Sequence, residues 1–231
     1  MSAKDKNILV IAAHPDDEVL GCGGTIARLV NEGQKVYIAI LGEGMTSHYN
    51  QHEQVEVQRV EVLHSDAHKI AQFLGAKEAF LFNLPDNRFD SVPMLEVVKI
   101  LEVLLAQLKP AIVFTQHGGD LNIDHVVTYR ATLTATRPMA GQSVKKVYAY
   151  EVASSTEWAF SKFAPSFVPN TFFDIGDTLE NKIMAMQMYE SEKRVFPHPR
   201  SPEALRAIAQ RWGSVVGVQA AEAFELVRGV E

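Results

Sequence analysis

The stretch ILVIAAHPDDEVLGCGGTIARL, Ile8 to Leu29, holds an unbroken apolar run, then a turn crowded with ionisable side chains, then a segment opened by glycines. An apolar run without alternation, Ile8 to Ala13, is the pattern of a strand covered on both faces, as in a parallel sheet. The turn that follows carries His14, Asp16, Asp17 and Glu18. In open α/β sheets ligands bind beyond the carboxyl ends of the strands, so these groups fall where chemistry is expected.

Outward from this stretch the pattern repeats. Strands are expected near Ile8–Ala13, Lys35–Leu41, Glu78–Asn83, Ala111–Thr115 and Lys146–Val152, with helical patterns between them. Gly33 and Gly75 stop the first two helices, and Pro110 ends one that begins near Pro93. The loops Gly42–Gln51 and Gln116–Asp124 then lie at the same sheet edge as the opening turn. After Val152 the pattern loosens into a Ser-, Pro- and aromatic-rich loop, a helix from Asp177 to Val195, and a proline-broken segment that resumes as a helix. This last third reads as a lid or cap on one domain spanning residues 1–231. The expected fold is α/β, a Rossmann-like, mainly parallel sheet flanked by helices.

Composition narrows the class of function. A formal charge of −6, from 22 Lys and Arg against 28 Asp and Glu, leaves no broad basic field for nucleic acid or an anionic membrane. The single cysteine, Cys22, excludes an internal disulfide and fits a reducing compartment. With no apolar span and no signal-peptide pattern, a cytoplasmic protein that does not insert into membranes is expected. Nothing in the composition opposes a homo-oligomer.

His14 and Asp17 follow the first strand, while Asp124 and His125 open a helix after the fourth, so two imidazoles and a carboxylate can meet at one point. Two histidines and a carboxylate form one of the ligand sets of catalytic zinc, which leave a position for water. The same set also suits Fe(II). Asp16 would stand beside that water as a base. The plainer reading is that Asp16 or Asp17 caps the following helix, but this leaves His14 without a purpose.

AHPDDEVLGCGGTI resembles the signature of the LmbE/PIG-L family of zinc-dependent N-deacetylases, and NIDHVVTYRA resembles its second motif. The resemblance implies a Rossmann-like fold and hydrolysis of acetamido groups on sugars. It also implies His14, Asp17 and His125 as zinc ligands and Asp16 as general base. Some members build surface polysaccharides or low-molecular-weight thiols. Two positions depart from the family pattern. Asn122 stands where a histidine is usual, three residues before the ligand histidine, and His64 stands where many members carry a substrate-binding arginine. An asparagine donates a hydrogen bond but does not transfer a proton. Asn122 is therefore an oxyanion donor candidate, with His117 and His198 as candidates to protonate the leaving nitrogen. Asp124, beside a ligand, is placed to orient an imidazole.

The expected substrate is an acetylated amino sugar, anionic through a nucleotide or phosphate, contacted by Arg88, Asp90, His198 and Arg200. The alternatives are a catalytically silent sugar-binding protein with a residual metal site and a nucleotide-dependent oxidoreductase. GCGG lacks the G-x-G-x-x-G spacing, and the carboxylates before it would repel a pyrophosphate.

Overall fold

A computed structural model describes residues 6–44 and 53–231, and only the backbone of 53–59. Most of the Gly42–Gln51 loop, with His48 and His52, lies outside the described residues. Strands β1 (Asn7–Ala12), β2 (Lys35–Gly42), β3 (Glu78–Leu84), β4 (Ile112–Gln116) and β5 (Lys146–Tyr150) fall within a residue or two of the sequence reading. The helices are α1 (Asp17–Asn31), α2 (Glu53–Phe73), α3 (Met94–Leu108), α4 (Ile123–Ala135), α5 (Leu179–Met188) and α6 (Pro202–Val216).

The last third departs from the expectation of a lid alone. It contributes two further strands, β6 (Thr171–Asp174) and β7 (Ala221–Gly229), which complete a seven-stranded sheet of order β3-β2-β1-β4-β5-β7-β6. The first five strands are parallel, whereas β7 runs antiparallel to both β5 and β6. β6 is only four residues long, too short for its period to stand out in a sequence.

The strands divide their side chains between two cores. Ile8, Val10 and Ala12 face the layer of α1, α2, α5 and α6, while Leu9, Ile11 and Ala13 face α3 and α4. Burial on both faces is what the continuous apolar run required. The glycines of GCGG serve this packing: a Cβ on Gly21 would lie 2.1 Å from the Tyr150 ring, and one on Gly24 would lie 2.8 Å from Ile175. The chain leaves β1 toward β2 on one side and meets β4 on the other, and the crevice at that switch opens beyond the strand ends.

Candidate active site and metal centre

At the end of β1 the backbone turns sharply into α1. Asp16 sits at the helix N-terminus with φ 104° and makes no side-chain cap hydrogen bond. A non-glycine residue in this region is uncommon and strained. Capping therefore does not explain Asp16, whose carboxylate is directed elsewhere. The Asp16 N–H donates to Glu18 Oε2 at 3.1 Å, and Tyr189 Oη donates to Glu18 Oε1 at 2.7 Å, so a buried chain of groups holds the turn.

Three donors converge here. Asp17 Oδ2 lies 3.3 Å from both His14 Nδ1 and His125 Nε2, and His14, Asp17 and His125 offer ligand atoms all within 4.8 Å of one another. The far side of each ring meets a second carboxylate. His14 Nε2 donates to Asp124 Oδ2 at 2.9 Å, with Asp86 Oδ1 at 3.3 Å, and His125 Nδ1 faces Asp120 Oδ2 at 3.2 Å, short of a well-formed hydrogen bond. Carboxylates behind metal-ligating imidazoles fix their orientation and raise their basicity. His14, Asp86 and Asp124 also lie within ligand reach of one another, but that set would need the His14 nitrogen already directed at Asp124. The first set leaves one nitrogen of each ring free for a metal ion.

The electrostatics point the same way. Burial would lower the His14 imidazole, but Asp124 and Asp17 outweigh it and push it up to about 10. Burial likewise opposes charge on His125, yet Asp17 and Asp120 push it up to about 9. Burial would raise the Asp17 carboxyl, but His125 and His14 hold it well below the usual carboxylate range. The protein thus surrounds this point with more negative charge than it balances, and borderline N and O donors there suit a divalent cation.

Beside the three donors lies a cavity of about 250 Å³. His14, Asp16, Asp86, Asn122, His125 and Arg200 line it, together with Ser154, Ser155 and Glu192. Burial pushes the Asp16 carboxyl well above its ordinary range, against the pull of Arg200 and helped by Asp17 and Glu192. Arg200 Nη1 donates to Asp16 Oδ2 at 2.6 Å and to Glu192 Oε2 at 3.2 Å, and its Nε donates to Ser154 Oγ at 2.8 Å.

The structure thus gathers His14, Asp16, Asp17, Asn122, His125 and Arg200 around one cavity. Asp124 is fully buried behind His14, with Oδ1 accepting from the Phe89 N–H at 2.9 Å, so it orients a ring and does not reach the cavity. Asn122 caps α4 by accepting from Asp124 N at 2.8 Å, and its amide donates to Asn87 Oδ1 at 3.0 Å.

The expected substrate contacts fare unevenly. Arg88 and Asp90 are exposed and do not line the cavity, because the turn from Phe89 to Ser91 carries them outward. Arg200 lines it, but as the partner of two carboxylates and not as a free anion binder. His198 supports the Arg200 turn through its Nδ1, which accepts from Arg200 N at 3.2 Å. The candidate proton donor His117 is buried, with Nδ1 3.0 Å from Glu225 Oε2 and Nε2 2.8 Å from Pro165 O, so neither nitrogen is open to a leaving group. His64 lies on α2 beside Leu63, which lines the cavity while His64 does not.

Asp120, Gln116, Glu192 and Tyr189 escaped the sequence reading. Gln116 Nε2 donates to Asp17 Oδ2 at 2.9 Å, and Thr156 Oγ1 donates to Asp120 Oδ2 at 2.6 Å. The one available signal was Asp120 in GGDLNIDH, five residues before a ligand and on the same loop.

Comparison with known proteins supplies the family and the fold. Residues 9–136, more than half of the chain, match the family model PIG-L, described as GlcNAc-PI de-N-acetylase. The chain is 26% identical over 244 residues to a diacetylchitobiose deacetylase from Thermococcus kodakarensis, covering 97% of this chain and 84% of that protein. An N,N'-diacetylchitobiose deacetylase structure from Pyrococcus horikoshii has the same fold, with a TM-score of 0.78 and 23% identity, covering 97% and 84% of the two chains. So does GalB, a 4-carboxy-2-hydroxymuconate hydratase from Pseudomonas putida, with a TM-score of 0.75 and 23% identity, covering 98% of each chain. The fold therefore hosts more than one reaction, and the site must discriminate among them. No helix among the described residues is long and apolar enough to cross a membrane. By the family match and the residues that carry it, this chain belongs to the PIG-L family of carbohydrate deacetylases.

Proposed function

We propose that this protein is a metal-dependent hydrolase that removes the N-acetyl group from an amino sugar. The observation that carries the reading is the convergence of His14, Asp17 and His125 beside the buried, uncapped carboxyl of Asp16. These three residues would hold a divalent ion, zinc or Fe(II). Bound there, the ion supplies Lewis acidity toward the amide oxygen and makes water more acidic.

The chain's own groups do the rest. Asp16 Oδ2 is held by Arg200, which leaves Oδ1 to accept a proton as water attacks the carbonyl carbon. The C–N bond then breaks, and Asp16 returns the proton to the leaving nitrogen, so that acetate and an amine are released. Burial raises Asp16, which makes one carboxyl a better base and then a usable acid. The second proton of the Asn122 amide is available to the developing oxyanion. With His117 engaged elsewhere, Asp16 serves both proton transfers.

An uncharged sugar suits this cavity better than a phosphorylated one. Arg200 is the only Lys or Arg among its described lining residues, and it is committed to Asp16 and Glu192. Asp16, Asp86 and Glu192 would repel a phosphate. Acetate release from N-acetylglucosamine, diacetylchitobiose and UDP-N-acetylglucosamine by metal-loaded protein tests the proposal. Release from the neutral sugars at the higher kcat/KM is expected. No release from any acetylated sugar would favour a silent binding protein.

A further inference from the structure

A second chamber, of about 300 Å³, lies between α6 and β7, with walls from α1, α5 and the segment after β5. Its volume is at the low end of the roughly 300–1,000 Å³ of small-molecule pockets and about ten times the ~30 Å³ share of one water. Leu20, Leu205, Ile208, Ala209 and Ala223 make most of the lining apolar. It shares no residue with the cavity beside the metal ligands.

Its charged groups are not equivalent. Lys182 Nζ donates to Leu20 O and to Glu222 Oε1, both at 2.6 Å, while Glu222 also accepts from Gly24 N at 3.1 Å and Thr25 N at 2.7 Å. That pair is closed. Arg211 is exposed and lies 4.0 Å over the Trp212 ring. Glu151 is different: Oε1 accepts from Trp212 Nε1 at 2.5 Å, and its second oxygen has no hydrogen bond among the described residues. Burial pushes its carboxyl up, as expected of a group with an open valence facing an apolar chamber.

We propose that this chamber is a second ligand site, which takes a small organic ammonium ion with a short apolar body. The ammonium group would make a charge-assisted hydrogen bond to the open oxygen of Glu151, and the apolar body would displace water from Leu205, Ile208 and Ala209. Glu222 pairs with Lys182 and Arg211 is exposed, so the lining carries three carboxylates, Glu151, Glu157 and Glu222, against two cations. An anion would face Glu151 and Glu157, and an alcohol would donate a hydrogen bond to Glu151 without the attraction of an opposite charge.

The chain's two tryptophans are Trp158 and Trp212, so Trp158→Phe leaves Trp212 as the fluorescent reporter inside the site. The probes are benzylammonium, benzyl alcohol and benzoate. Benzylammonium should change Trp212 emission saturably, benzyl alcohol should bind at least tenfold more weakly, and benzoate should give no response. Glu151→Gln, which keeps an acceptor for Trp212, should weaken benzylammonium at least tenfold and leave benzyl alcohol unchanged. Ala209→Leu, which sets three more carbons against the apolar wall, should narrow the chamber and weaken both responses. The proposal is overturned by a non-saturable response, by equal affinity for the alcohol, by a benzoate response, or by full benzylammonium affinity in Glu151→Gln. It is equally overturned if His125→Ala abolishes the signal, because the probe then sits at the metal ligands. Failure of deacetylation would leave all of these readouts standing.

Discussion

Two buried charged clusters in this molecule look alike by composition and differ in balance. Around Lys182 and Glu222, one cation meets one carboxylate and the remaining valences are filled by backbone groups. Around His14 and His125, the carboxylates of Asp17, Asp86, Asp120 and Asp124 converge on two imidazoles, and a little further on Arg200 pairs with the carboxylates of Asp16 and Glu192. The first cluster is complete within the chain. The second carries more carboxylates than the chain's own cations match, as suits a candidate site for a divalent cation. The sign and surplus of charge, more than its burial, separate a structural cluster from a functional one.

Asp16→Asn gives the largest break expected. It should retain metal, measured by elemental analysis, and lower kcat by about 10²–10⁴, the scale of a lost general base. Because the native carboxyl is raised by burial, stability in denaturant should hold or improve. Loss of metal with the charge would make Asp16 a ligand and undo the division of roles in the cluster.

Lys182→Met should act in the opposite sense. It strands Glu222 without a cation, at a cost of about 3–5 kcal/mol in urea unfolding, whereas Lys182→Met with Glu222→Gln should recover most of that loss. Retained stability in the single variant would mean that the pair is not closed as described.

A smaller effect should sharpen the contrast. Asp120→Asn keeps the shape behind His125 but removes the charge, and metal affinity should fall about 10–100-fold with the three ligands intact. Competition with a chelator of known affinity measures it, and unchanged affinity would leave Asp120 as a loop anchor for Ser155 and Thr156 alone.

The smallest effect concerns His117 and Glu225, a self-balanced pair near the site. Burial lowers the His117 imidazole, but Glu225 and Pro165 O outweigh it and raise it. A raised histidine stabilises the fold fully below its unfolded value of about 6.5, and that contribution is lost as pH rises through the folded value. The urea midpoint should therefore fall above neutrality in the wild type and change less with pH in His117→Gln. Identical pH profiles would remove His117 from the balanced class.

The residues that were legible in the sequence share one property: their partners are close along the chain or their pattern is periodic. Five parallel strands announced themselves as apolar runs bounded by glycine and proline, and the candidate metal ligands sat in two short motifs at strand ends. β6 was missed because a four-residue edge strand leaves little local pattern, and β7, nine residues long between β5 and β6, because Glu222, Glu225 and Arg228 interrupt its apolar run. His117 drew attention as an ionisable group near the mouth. Only the folded chain shows both of its nitrogens engaged.

By itself the sequence determined that the chain would form a parallel α/β sheet with His14, Asp16, Asp17 and His125 at one crevice, because hydrophobic periodicity and strand-to-helix turns are local. Tertiary structure alone decided that Arg200 would hold Asp16 across 184 residues, that Glu222 would neutralise Lys182 across 40, and that the imidazole beside Asp124 would be that of His14, across 110. Charge pairing depends on distance in space and on desolvation, and neither exists along an extended chain.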